Sequence, residues 1–136
     1  MPMIPRHRQQ LNDLLLTRSL LTPQGAWTQG APARNAAGKA VSPLSEDAVS
    51  WSAYGAAWRA VRPTTPTDIR LRRVLREMVP HRLNNAVFED ATRAHEWNDA
   101  PDRQQVHLLD GLDSGIKVFT DIEAYEARRD ASPETP

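Results

Sequence analysis

Apolar positions along this chain recur at helical spacing in several runs, and proline marks where the runs end. No proline falls in 6–22, 44–62, 67–79, 81–100 or 102–132. Proline removes an amide donor and clashes with the preceding turn, so helices are expected inside these windows. The first window predicts a helix over 7–21, with Leu11, Leu14, Leu15 and Leu21 on its inward side. The stretch 22–44 holds Gly25, Gly30, Gly38, Pro23, Pro32 and Pro43 and excludes a helix. There Trp27–Ala33 and Lys39–Val41 are expected to pair as a hairpin across Asn35-Ala36-Ala37-Gly38.

Ser45, followed by Glu46 and Asp47, reads as a helix start, and the helix is expected to reach Val61. Val49, Ala53, Ala56, Ala57 and Ala60 form one stripe on it, and Trp51, Tyr54, Gly55 and Trp58 another. A helix apolar on nearly every side belongs at the centre of a fold. Gly55 and the alanines would let a second backbone approach. After a stiff Arg62-Pro63-Thr64-Thr65-Pro66 connector, Thr67 or Asp68 is expected to cap a helix ending near Val79. It turns Leu71, Val74, Leu75, Met78 and Val79 inward and Arg70, Arg72, Arg73 and Arg76 outward. A helix over 83–97 follows, with Leu83, Val87, Ala91, Ala94 and Trp97 inward. Asp102 and Gln105 resemble a capping box for the next helix, striped by Val106, Leu109, Leu112, Ile116 and Phe119. Residues 121–129 continue or follow it, and 130–136 read as a disordered polar tail. These elements predict one mainly α domain over 1–129, of five or six helices, with a short β-hairpin after the first.

Charge changes this picture through its distribution. Seventeen basic and seventeen acidic side chains cancel. Residues 59–82 nevertheless carry seven arginines against two acids, and 89–136 carry twelve acids against five bases. Two oppositely charged faces attracting each other within the fold account for this most simply. The chain has no cysteine, which excludes disulfides and thiol chemistry. No segment approaches the ~18 apolar residues of a membrane span, and the N-terminus lacks the apolar run of a signal peptide. A cytoplasmic location is therefore expected.

Three groups of residues carry chemistry. The string Trp97-Asn98-Asp99-Ala100-Pro101-Asp102-Arg103, between two helices, is a candidate recognition corner built on Trp97, Asn98, Asp99 and Arg103. Polar side chains at a helix end also have a purely architectural use in satisfying backbone amides. A sharper alternative groups His95, Asp99, Asp102 and His107 as a metal site or acid–base pair of a small hydrolase. The string His95-Glu96-Trp97-Asn98-Asp99 is not a His-Glu-x-x-His motif, and neither a nucleophile elbow nor a glycine-rich phosphate loop is present. The second group is the arginine helix, suited to an acidic protein or to phosphates. Against nucleic acid stands a pI of about 6.9, where pI above ~9 is typical of such domains. Third are Trp27, Trp51, Trp58 and Trp97. They are core material first, but the expected core helix hides Trp51 and Trp58 only if enough material covers both its faces, and one or two tryptophans could line a groove for a partner or small ligand.

Four strings, in order, are similar to a family of small bacterial and phage proteins, domain of unknown function 6197. They are Gly25-Ala26-Trp27-Thr28-Gln29-Gly30, Ala33 through Val41, Trp51-Ser52-Ala53-Tyr54-Gly55-Ala56, and Trp97 through Arg103. The similarity spans about residues 9–119. Thr28 and Ser52 stand where the family often has cysteine, and Asp102 where it often has glycine. The resemblance implies a compact, mostly helical intracellular domain and carries no reaction, cofactor or substrate. The reading that results is a non-enzymatic accessory protein of bacterial or phage origin that acts on a protein partner. It needs no cofactor and no membrane, and its oligomeric state is open.

Overall fold

The structure, a computed structural model, describes residues 6–65, 68–78 and 91–131. It is mainly α. In order come α1 (Arg6–Leu21), β1 (Ala33–Asn35), β2 (Ala48–Trp51), α2 (Ala53–Val61), α3 (Ile69–Met78), α4 (Ala91–Asn98) and α5 (Gln105–Ala131). The expected inward positions Val79, Leu83 and Val87, the cap candidate Thr67, and residues 132–136 of the expected tail lie outside the described residues, while Asp130 and Ala131, also expected in that tail, end α5.

Helices α1 and α5 run antiparallel. Arg8 reaches Glu123, Arg18 reaches Asp113, and Gln105 Nε2 donates to the carbonyls of Leu21 and Pro23 at the end of α1. The inward face of α1 is Asp13, Leu14, Thr17 and Leu21, whereas Leu15 is exposed. Two polar residues take places that the leucine pattern assigned to Leu15. Asp13 is held by Arg70 from α3, and the Thr17 hydroxyl donates to the Asp13 carbonyl one turn back. Both are satisfied internally, so their burial carries little penalty.

Helix α2 is the central helix, packed by α1, α3, α4 and β2. It starts seven residues later than its sequence suggests, capped at Ser52 instead of Ser45. Ser45 closes a turn, accepting from the Asp47 amide, while Ser52, in extended backbone, accepts from Gly55 N–H and caps the helix. Between them Ala48–Trp51 is a strand, antiparallel to β1 with a bulge between Arg34 and Asn35. Its run Val49-Ser50-Trp51 suits a pleated surface, with Val49 exposed and its neighbours buried. The Asn35–Gly38 turn forms as expected. Asn35 Oδ1 accepts from the Ala37 and Lys39 amides, and Gly38 sits at φ +80°. Residues 39–41 pair with β1, as expected, through Val41 N–H to Ala33 C=O. The strand expected over 27–33 is replaced by β1 at 33–35, whose other edge pairs with β2, and Trp27 makes a single bridge to Trp51.

The close backbone approach at Gly55 is real. A Cβ there would lie 1.8 Å from the Pro32 carbonyl oxygen, which also accepts the Ser52 amide. Helix α5 is continuous through 121–129 and buries Leu108 and Leu112, with Leu109, Ile116 and Phe119 packed at the margin. Val106 is exposed, because at helical spacing it lies off the face that Leu108, Leu112, Ile116 and Phe119 share. Its first turn is not closed by Asp102. The Gln104 amide donates to His107 Nδ1 and the Gln104 carbonyl accepts from the His107 amide, so an imidazole takes the place expected for Gln105.

Candidate functional site

The 97–103 corner begins where α4 ends. Asn98 is buried and uses its whole hydrogen-bonding capacity. Its Oδ1 accepts from Trp27 Nε1 at 2.7 Å and from the Ala53 amide at 2.9 Å. Its Nδ2 donates to the Thr28 carbonyl at 3.0 Å and to Asp99 Oδ1 at 2.9 Å. The Ala53 amide is one of the orphan donors at the start of α2, so this side chain joins the end of one helix to the beginning of another. The carbonyls left over at the end of α4 are met in the same way. Gln29 Nε2 donates to Asn98 and Ala100, and Arg103 Nε donates to Trp97. Asp99, though exposed, accepts from the Gly30 amide. The corner is thus a clip that fastens the 27–30 loop across α2 and α4.

Trp97 is buried beneath Arg103, whose guanidinium carbon lies 4.3 Å from the indole centre. Its Nε1 has no acceptor among the described residues. Trp51 is buried and shielded. Its Nε1 donates to the Pro43 carbonyl, and Arg59, itself bound to the Pro43 and Ser45 carbonyls, lies over its ring. Trp58 is half-buried beside Tyr54, which in turn packs on His95 at 5.0 Å between centroids. Burial raises the Tyr54 phenol above its ordinary pKa. The structure therefore separates Trp51 from Trp58: one is core, the other part of a half-exposed aromatic row.

The four residues of the acid–base alternative are not gathered. His95 stacks on Tyr54, Asp99 holds Gly30, His107 Nδ1 accepts at the start of α5, and Asp102 is exposed in the turn before it. Among the described residues no group of three or more histidines and carboxylates is disposed to hold a metal ion.

The arginines divide into two sets. Arg70 is not an outward residue: its guanidinium grips Asp13 with both Nε and Nη2, at 3.1 and 2.7 Å. That contact raises its pKa above the ordinary value. Arg72 is also engaged within the fold. Arg73 and Arg76 have no hydrogen bond or ion pair among the described residues, and neither does Arg6 at the start of α1. Arg73 is depressed below its ordinary pKa by burial and by the neighbouring cations of Arg6 and Arg76. Arg6 escaped the sequence reading because it lies far from the arginine run, on another helix. Gln29 and Trp27 escaped it as partners of Asn98, although the two strings that meet here are both among the four that carry the resemblance.

The family of unknown function DUF6197 matches residues 5–118, and the chain belongs to that family. No curated protein matches the chain, and no solved structure does.

Proposed function

We propose that this member of the family of unknown function DUF6197 is a non-enzymatic accessory protein that binds a protein partner through the outer face of α3. The observation that carries this reading is the selective commitment of the basic side chains. Arg8, Arg18, Arg34, Arg59, Arg70 and Arg103 are all tied down inside the fold. Among the described residues Arg73, Arg76 and Arg6 have no such partner, as is also true of Lys39, Arg62, Arg128 and Arg129, but these three belong to the packed α1–α3 pair, with Ile69 on the same stripe as Arg73 and Arg76 and 47% exposed. An exposed apolar side chain flanked by uncommitted arginines suits an acidic protein surface with an apolar patch. The dissolution of the 95–107 constellation into structural contacts supports a binding role over hydrolysis. Bacterial or phage origin and a cytoplasmic place of action belong to the same proposal. Among the described residues no helix is long and apolar enough to cross a membrane.

The test is affinity capture from host lysate with the wild-type chain and with the double variant Arg73→Glu, Arg76→Glu, after nuclease treatment. A partner retained by the wild type and lost by a folded double variant is the expected result. Equal capture by both would overturn the α3 face as the contact surface, and capture that vanishes with nuclease would make nucleic acid the ligand.

A further inference from the structure

Within the proposed binding role, one question is what chemistry three uncommitted guanidinium groups at one place would select. Ile69, Arg73 and Arg76 are spaced by four and three residues, so they share one stripe along α3. The opposite stripe, Leu71, Val74, Leu75 and Met78, is buried and anchors the helix, which presents the arginines from a rigid base. Arg6 joins them from α1, which packs on α3. Among the described residues, the acids of α1, of α3 and at the start of α3 are engaged elsewhere. Asp13 belongs to Arg70, Asp68 accepts the Arg70 amide at the start of α3, and the Glu77 side chain lies over Gly115 of α5.

We infer that Arg6, Arg73 and Arg76 form a receptor for a phosphoryl group carried by a phosphorylated side chain of the protein partner, with Ile69 receiving an apolar neighbour of that residue. The inference rests on the proposed partner-binding role and specifies its ligand. A carboxylate brings one charge and two oxygens, which a single arginine fork already fills. A phosphoryl group brings a charge near −2 and three acceptor oxygens, enough to engage several forks at once. Burial is the larger cause that depresses Arg73, and the repulsion from Arg6 and Arg76 that adds to it is relieved when such an anion sits among the three cations. A nucleic-acid backbone is a poorer match. It spreads its charge along a track, whereas the chain has zero net charge and seventeen acidic groups to repel it.

Fluorescence anisotropy with the full chain tests this. The probes are an acidic peptide containing isoleucine and one phosphoserine, the same peptide unphosphorylated, and a single-stranded DNA of equal charge, all at one ionic strength. Charge-assisted bonds of this kind predict binding of the phosphopeptide about tenfold or more tighter than the other two. Arg73→Gln is expected to remove that preference. Arg73→Lys, which keeps the charge but loses the fork, is expected to fall between Arg73→Gln and the wild type. Equal affinity for the unphosphorylated peptide, tighter binding of DNA, or a Lys variant indistinguishable from wild type would each overturn the inference. Phosphatase treatment of the lysate separates it from the broader reading. Capture that depends on Arg73 and Arg76 but survives phosphatase sinks the phosphoryl inference and leaves the partner; absence of any such capture sinks the partner itself.

Discussion

Truncation of Asn98 to alanine is the sharpest perturbation of the clip. The side chain is 1% exposed, and its removal strips partners from the Trp27 indole N–H, the Ala53 amide and the Thr28 carbonyl. Leaving a buried donor or acceptor unmet costs roughly 1–3 kcal/mol. Ala53 is buried, while Trp27 and Thr28 are half-buried, and the Asp99 carboxylate is exposed and readily rehydrated. Counting one full and two partial penalties gives about 4 kcal/mol, a large share of the roughly 5–15 kcal/mol that stabilises a domain. In guanidinium chloride, with a slope of about 4 kcal/mol per molar, the midpoint is expected to fall by about 1 M. Far-ultraviolet circular dichroism is the suitable probe, since Trp27 sits at the perturbed site and would confuse fluorescence. Asp99→Ala serves as the control and is expected to lose no more than about 1 kcal/mol. A loss below about 1.5 kcal/mol for Asn98→Ala would refute the reasoning. The corner would then not be held by these bonds, and the Trp97–Arg103 string would return as a ligand site.

Two further outcomes follow from the geometry. Gly55→Ala places a methyl carbon 1.8 Å from the Pro32 carbonyl oxygen, backbone against backbone, so the loop before β1 must lift off α2. A loss of about 3 kcal/mol or more is expected in the same denaturation assay, and a neutral substitution would show that the two segments do not touch. Glu123 is held below the ordinary glutamate pKa by its hydrogen bond from Arg8, with the charges of Arg8 and His7 assisting. A carboxyl whose folded value is depressed contributes stability above its unfolded value and loses that contribution as pH falls through the folded value. Carbon-13 NMR titration should therefore show the Glu123 midpoint rise in Arg8→Ala; an unmoved midpoint would exclude this contact in solution.

How much of this was legible along the chain depended on how local each cause is. Periodicity and proline placement are properties of consecutive residues, and they placed helices over 7–21, up to about 79 and after Asp102, in a mainly α domain; they left open whether 121–129 continued the last helix, which runs on to Ala131. The Asn35–Gly38 turn was equally local, since Asn35 accepts amides two and four residues on. The close approach at Gly55 was visible as a missing side chain on a helix of small residues. What the tertiary structure alone decided were choices between locally equivalent options. Ala48–Trp51 reads as the first turn of a helix until β1 offers it a strand to pair with, and Ser52 then takes the cap that Ser45 was expected to form. Arg70 and Arg73 look alike in sequence, but α1 supplies Asp13 to one and Arg6 to the other, so one is a strut and the other is left uncommitted. Whether Asn98 was a recognition residue or an architectural one stayed open along the chain, because its partners, Trp27 and Ala53, lie 71 and 45 positions away. A side chain's role is set by which group meets it across the fold, and that meeting is a property of the packed chain.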